Sequence, residues 1–137
     1  MPEPEQTALV SFRLQKAEAD LLAAKQNYAM DLLDAAANRS YYAIFHAARA
    51  VLALHQQDYK KHAGVIAFFR RDFVKTGIFE KRMSDVIQNA FDIRTECDYE
   101  DFFAVTQEEV KSQIDDAAYF IGEIKSYVAE FLLSDHQ

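Results

Sequence analysis

Apolar side chains recur at intervals of three and four along nearly the whole chain, the period of an amphipathic α-helix. From about Thr7 to Tyr28, the residues Leu14, Ala17, Leu21, Ala24 and Tyr28 form one stripe. A longer stripe, from about Asp31 to His55, carries Leu33, Ala37, Tyr41, Ile44, Ala48, Val51 and Leu54, and its alanines permit close approach of a neighbouring helix. The segment QQDYKKHAG breaks the pattern. A third helix is predicted from about Ala63 to Val74, with Ile66, Phe69, Arg70 and Phe73 on its stripe and Gly77 as its natural stop. A fourth runs from about Glu80 to Glu96 on Met83, Val86, Ile87, Ala90 and Phe91, after which ECDYEDFFAVT reads as a loop. Thr106, followed three residues on by Glu109, is a capping box. The last helix therefore starts there and runs to about Leu133, with Val110, Ile114, Ala117, Phe120 or Ile121, Ile124, Val128 and Phe131 on one face.

Five amphipathic helices with short connections predict an all-α, up-and-down antiparallel bundle. Composition agrees. Eleven Phe and seven Tyr supply a large core, whereas three Gly and two Pro are too few for a hairpin-rich fold. A chain of 137 residues is near the commonest domain size, so one domain spanning the whole chain is expected.

Cys97 is the sole cysteine, which excludes an internal disulfide and a thiolate zinc cage and suits a reducing cytoplasm. No apolar run approaches the roughly 20 residues that span a bilayer. The opening MPEPEQ is acidic where a signal peptide is basic, so neither secretion nor membrane insertion is expected. The formal net charge of −7 argues against nucleic-acid binding by overall attraction, but the charge is uneven. Between Lys60 and Arg82 lie seven basic residues (Lys60, Lys61, Arg70, Arg71, Lys75, Lys81, Arg82) against two acids, Asp72 and Glu80. Such a segment is either a solvated helix face or a surface for phosphate or an acidic partner.

Three groups carry candidate chemistry. On the second helix Arg39 and His46, seven residues apart, share a face, with Tyr42 and Arg49 beside them, making a cationic and aromatic stripe. The plain alternative pairs Arg39 with a carboxylate and packs His46 in a half-buried seam. At the end of the fourth helix Arg94 and Asp98 are four apart and can touch, with Tyr99 next, either as a simple ion pair or as a fork for phosphate. Lys60, Lys61 and His62 stand at the entrance to the third helix, where free N–H groups favour anions. Glycine-rich phosphate loops, HExxH and a Glu-x-x-His pair are absent, the acidic run Glu96, Asp98, Glu100, Asp101 has no histidine in register, and no cofactor or metal is expected.

The strings Asn38-Arg39-Ser40-Tyr41-Tyr42-Ala43-Ile44-Phe45-His46-Ala47-Ala48, Lys61-His62-Ala63-Gly64-Val65 and Arg94-Thr95-Glu96-Cys97-Asp98-Tyr99 occur in the order expected of small bacterial and archaeal HEPN proteins. The chain resembles that family over nearly its whole length. The resemblance implies a helical bundle that pairs through its long helices into a homodimer, often encoded beside a minimal nucleotidyltransferase as a toxin–antitoxin-like pair. Many HEPN domains are metal-independent ribonucleases marked by an arginine followed, after four to six residues, by a histidine. Arg94 takes the arginine position here, but Asp98-Tyr99 stands where the histidine belongs. Tyrosine, with an ordinary pKa near 10, is a poor base at neutrality. Arg39 and His46 keep an arginine-to-histidine spacing, but on the second helix.

The leading expectation is a HEPN-like domain of a two-component system. It binds RNA, a nucleotide or a nucleotidyltransferase partner through Arg39, Tyr42, Lys61, His62 and Asp98 together with Arg94, His46 and Tyr99. The alternatives are an endoribonuclease toxin, with His46 or Tyr99 transferring protons and Arg94 holding the pentavalent phosphate, and a purely structural dimerisation module.

Overall fold

In a computed structural model describing residues 2–99 and 104–135, the chain forms α1 (Pro4–Ala29), α2 (Leu33–Leu54), α3 (His62–Phe69), α4 (Lys81–Tyr99) and α5 (Gln107–Asp135). A single π-helical turn, Arg70–Val74, continues α3. It is closed by the Lys75 amide donating to the Arg70 carbonyl at 2.9 Å. The described residues contain no strand, and none of their helices is long and apolar enough to cross a membrane.

The alanine-rich α2 is the centre. Ala36, Ala37, Ala43, Ala47, Ala48, Ala50 and Ala53 are all buried, so α1, α3, α4 and α5 each come up against its backbone. Gln6 near the start of α1 donates to the carbonyls of Ala53 and Leu54 at the end of α2, so these two helices run antiparallel. Along α5, Gln113 meets Ala37 and Ser40 while Tyr127 meets His55, which makes α5 parallel to α2. The four long helices alternate in direction, as the short connections predict. The addition is α3: His62 lies against Phe45 and Phe73 against His55, so the chain doubles back after α2 and α3 runs in the same direction as α2.

Where helices end without glycine, side chains tolerate left-handed backbone. Asp31 (φ 60°) and Gln56 (φ 59°) turn the chain out of α1 and α2. The amides of Leu32 and Gln57 then donate back to the Asn27 and Leu52 carbonyls. Gly77 (φ 88°) closes the turn after α3.

Most predicted stripes are buried, including Met83, Val86, Ile87 and Ala90 of α4 and Val110, Ile114, Ala117 and Ile124 of α5. Two expectations need correction. Arg70, placed on the apolar stripe of the third helix, is exposed: Ile66, Phe69 and Phe73 hold the buried face, and the guanidinium reaches out to Ser84 and Gln88. Glu96–Tyr99, read as loop, continues α4, since Cys97 lies one turn beyond Ile93 and both pack on the smaller cluster of Ala24, Ala36, Ala37 and Val110. Positions 100–103 of that stretch lie outside the described residues, and positions 104–106 are non-helical as expected.

The capping box forms in both directions: the Glu109 amide donates to Thr106 Oγ1 and the Thr106 amide to Glu109 Oε1, each at 3.1 Å. Thr106→Ala is therefore expected to lower the unfolding free energy by about 1 kcal/mol in urea denaturation.

Candidate functional site

The helical repeat brings Arg39, Tyr42, His46 and Arg49 to one side of α2, with Tyr41 and Phe45 beside them. Two of these are anchored to α1. Arg39 Nη1 donates to Asp20 Oδ1 at 3.1 Å, and His46 Nε2 lies 3.6 Å from Asp20 Oδ2. Burial, then the charges of Lys16, Arg49, Arg13 and Arg39, push His46 down to about 4. Its proximity to Asp20 does not outweigh these, so His46 is neutral at pH 7 and the contact is not an ion pair. Asp20 is itself pushed upward by burial, against the pull of Arg39 and Lys16.

His46 supplies a pH prediction. A histidine whose folded pKa lies below its unfolded value of about 6.5 takes up its proton more readily in the unfolded chain. The stabilisation is complete above pH 6.5 and is lost as pH falls from there toward 4. Chemical denaturation should show a loss of roughly 1–2 kcal/mol over that window, after allowing for the ring's residual contact with solvent. In His46→Gln the decline should be shallower; an unchanged decline would contradict the assignment.

Convergence occurs on the other side of Tyr42. The Arg94 guanidinium of α4 lies 5.3 Å from the Tyr42 ring centroid and 5.2 Å from that of Tyr41, while Arg39 lies 5.1 Å from Tyr42. Arg39 and Arg94 thus meet on one tyrosine ring. His62, the first residue of α3, stacks on Phe45 at 4.1 Å and meets Tyr42 edge-on. Its Nδ1 is 2.8 Å from the Tyr41 hydroxyl and 3.3 Å from Arg94 Nη1. A guanidinium can only donate, so Nδ1 is the acceptor, Tyr41 also donates to it, and the ring proton sits on Nε2. Burial, Arg94 and Arg49 all lower the His62 pKa, which keeps the ring neutral. Burial raises the Tyr41 hydroxyl well above its usual range, so it stays protonated and able to donate.

Arg94 has an unused donor. Its Nε is buried without a hydrogen-bond partner, 3.6 Å from Asp98 Oδ2, in a recess of about 230 Å³ lined by Asp34, Asn38, Cys97 and Asp98. A buried N–H left without a hydrogen bond costs on the order of 1–3 kcal/mol, offset in part by the Asp98 carboxylate 3.6 Å away. On the opposite flank Arg49 donates to Asp58 Oδ1 at 2.9 Å, and the buried Arg13 reaches Asp58 Oδ2 at 3.4 Å. Burial works to raise Asp58, but Arg49 and Arg13 hold its carboxyl below the ordinary range.

Of the residues singled out in the sequence, Arg94, His62, Tyr42, Arg39 and Asp98 come together. His46 lies behind Tyr42, tied to Asp20. Tyr99 is 80% exposed and shares none of the aromatic or hydrogen-bond contacts of this cluster. Lys61 is exposed immediately before His62. Asp20 and Asp58 were not singled out, because nothing local marks an acid on another element as the partner of α2. Among the described residues no group of three or more His, Cys, Asp or Glu side chains is arranged to hold a metal ion.

The fold and cluster define a helical bundle with an arginine–histidine pair set among aromatic rings. Its sequence matches the HEPN domain over residues 10–127, and the chain belongs to that family. It is 38% identical over 119 residues to a Methanocaldococcus jannaschii protein named as a candidate toxin, covering 87% of this chain and 88% of the relative. A second candidate toxin of that organism is 29% identical over 84% of this chain and 78% of its own. A UPF0332 protein of Thermotoga maritima is 31% identical over 92% of this chain and 96% of its own. The chain is accordingly a toxin-like HEPN protein.

Proposed function

We propose that this protein binds the phosphates of RNA or of a nucleotide at Arg94 and His62, as the toxin-like half of a two-component system whose other half is a minimal nucleotidyltransferase. The observation that carries this reading is the meeting of Arg94 and His62: a guanidinium with an orphaned Nε, beside a neutral imidazole that presents an Nε2–H. Both groups are donors, which suits an anion. Tyr42, between Arg39 and Arg94, offers its hydroxyl to a base or ribose. The cytoplasm suits such a ligand. A homodimer would use the apolar side chains that α1 leaves exposed, Leu9, Phe12 and Leu22.

The test is titration of the folded protein with uridine monophosphate and an RNA oligomer. The reading is lost if Arg94→Ala and His62→Gln, each shown to be folded, bind both as the parent does.

A second reading, metal-independent RNA cleavage, is favoured by one observation: His62 is neutral and 3.3 Å from Arg94. The single lone pair on His62 Nδ1 faces both Arg94 Nη1 and the Tyr41 hydroxyl, so the step requires both donors to turn to the phosphate. Nδ1 can then accept a proton from a ribose 2′-hydroxyl while Arg94 holds the phosphate charge. His62 thereby supplies in space the histidine that does not follow Arg94 in sequence. Total RNA incubated in EDTA with the parent, His62→Gln, His46→Ala and Arg94→Ala proteins decides it. Cleavage lost in His62→Gln and Arg94→Ala but kept in His46→Ala supports this step, and no cleavage by the parent rejects it.

A further inference from the structure

The geometry points to a second binding site: the groove between α3 and α4 is a track for the phosphates of a single RNA strand, leading to Arg94 and His62. The two helices run antiparallel, as two contacts show. Arg70, at the end of α3, donates to Ser84 Oγ at 2.6 Å and Gln88 Oε1 at 2.7 Å near the start of α4. His62, at the beginning of α3, receives Arg94 near the end of α4. Between them the α3 segment from His62 to Val74 is about 20 Å long at roughly 1.5 Å per residue, room for several phosphates of a single strand.

At the Arg70 end of this helix pair a pocket of about 550 Å³ is lined by Arg70, Arg71, Lys75 and Lys81 around Ala67 and Ser84, without a carboxylate among its lining residues. Arg70 is held by neutral partners, so its orientation is fixed while its charge is unspent. Lys75 and Lys81 have no carboxylate within ion-pair distance among the described residues. Arg71 is shared with Asp72 at 2.8 Å and lies 4.2 Å over the Phe68 ring, which stacks on Tyr59 at 3.9 Å and 6°. A layered guanidinium and two aromatic rings at the rim suit unstacked bases, whereas an acidic peptide would make no use of them. Four of the seven basic residues of the Lys60–Arg82 segment thus line the groove, and Lys60 and Lys61 stand at its other end. In a chain of net charge −7 this concentrates the attraction for a polyanion on one path.

The inference rests on the phosphate reading of Arg94 and His62 for where the strand leads, and the test separates the two. Fluorescein-labelled oligouridylate of eight nucleotides and uridine monophosphate are titrated into the parent, Lys75→Gln/Lys81→Gln and Arg94→Ala proteins between about 50 and 300 mM salt. Each single-strand phosphate contact contributes about 0.7 to the log–log salt slope. The double lysine variant should therefore bind the octamer about 20-fold more weakly near 0.1 M salt, with a slope smaller by about 1.4, and bind the mononucleotide unchanged. Both lysines are exposed, and an unaltered melting curve confirms the fold. Undiminished octamer binding by the double variant overturns the groove, as does failure of the parent to bind the octamer at low salt. Displacement of the octamer by polyglutamate as readily as by unlabelled RNA at equal charge assigns the groove to an acidic protein instead. Mononucleotide binding that ignores Arg94→Ala, with octamer binding still dependent on the lysines, removes the Arg94–His62 reading and leaves the groove standing.

Discussion

Arg94→Ala is expected to weaken phosphate-ligand binding by ten- to a hundredfold, the value of one charge-assisted fork at about 1.5–3 kcal/mol. Isothermal titration with uridine monophosphate and with an RNA octamer reads it directly. The magnitude follows from the environment of the guanidinium. Two tyrosine faces and His62 Nδ1 fix its plane, and its Nε has no partner, so little ordering entropy remains to be lost when an anion arrives. Arg94→Lys should recover only part of the loss, because an ammonium keeps the charge without the planar fork. Full recovery by lysine would mean that charge alone matters and that the stacked geometry is incidental. Asp98, half-exposed and 3.6 Å from Nε, competes weakly with an incoming phosphate, so Asp98→Asn should tighten binding slightly.

The largest stability effect is expected at Phe69. Its ring is fully buried with centroids of Phe120, Phe79 and Phe73 at 5.3, 5.8 and 5.9 Å, so it ties the last turn of α3 to α5 and to the turn before α4. Phe69→Ala should cost about 3–5 kcal/mol in urea denaturation, combining lost transfer energy with the cavity left behind. The half-buried Phe131 should cost less than half as much. A loss below 1 kcal/mol at Phe69 would show that α3 is not held as described. Since α3 carries His62 at one end and Arg70 at the other, the folded fraction of Phe69→Ala should also bind RNA less well than its Arg94 alone would dictate.

How much of this was legible depends on how local each feature is. Helical periodicity marked the stripes of α2, α4 and α5, and the Thr106–Glu109 box fixed the start of α5, because both signals lie within one element. The face shared by Arg39 and His46 was equally readable, but its partner, Asp20, sits on α1, and no spacing within α2 points there. His62 is legible as a candidate binder at a helix entrance, but not as a partner of Arg94. Its approach to Arg94 depends on α3 doubling back beside α2 and lying antiparallel to α4, which follows from where Phe69 and Phe73 find a core. A search along the sequence for a histidine after Arg94 looks within one helix, whereas His62, 3.3 Å from Arg94 Nη1, comes from another. The basic run was visible as composition, but its division into a groove-lining set and Arg82, which lies over Tyr119 and reaches Asp116, was not.

The π turn at Arg70–Val74 has a consequence for how such chains can diverge. A π turn absorbs one extra residue within the helix, so deleting one residue there would restore ordinary α-helical hydrogen bonding and leave Lys75 and Gly77 close to their present orientation. A gap within the regular turns of α3 would instead turn everything after it by about 100° about the helix axis. Length changes among HEPN chains should therefore collect at positions 70–74 rather than between His62 and Phe69.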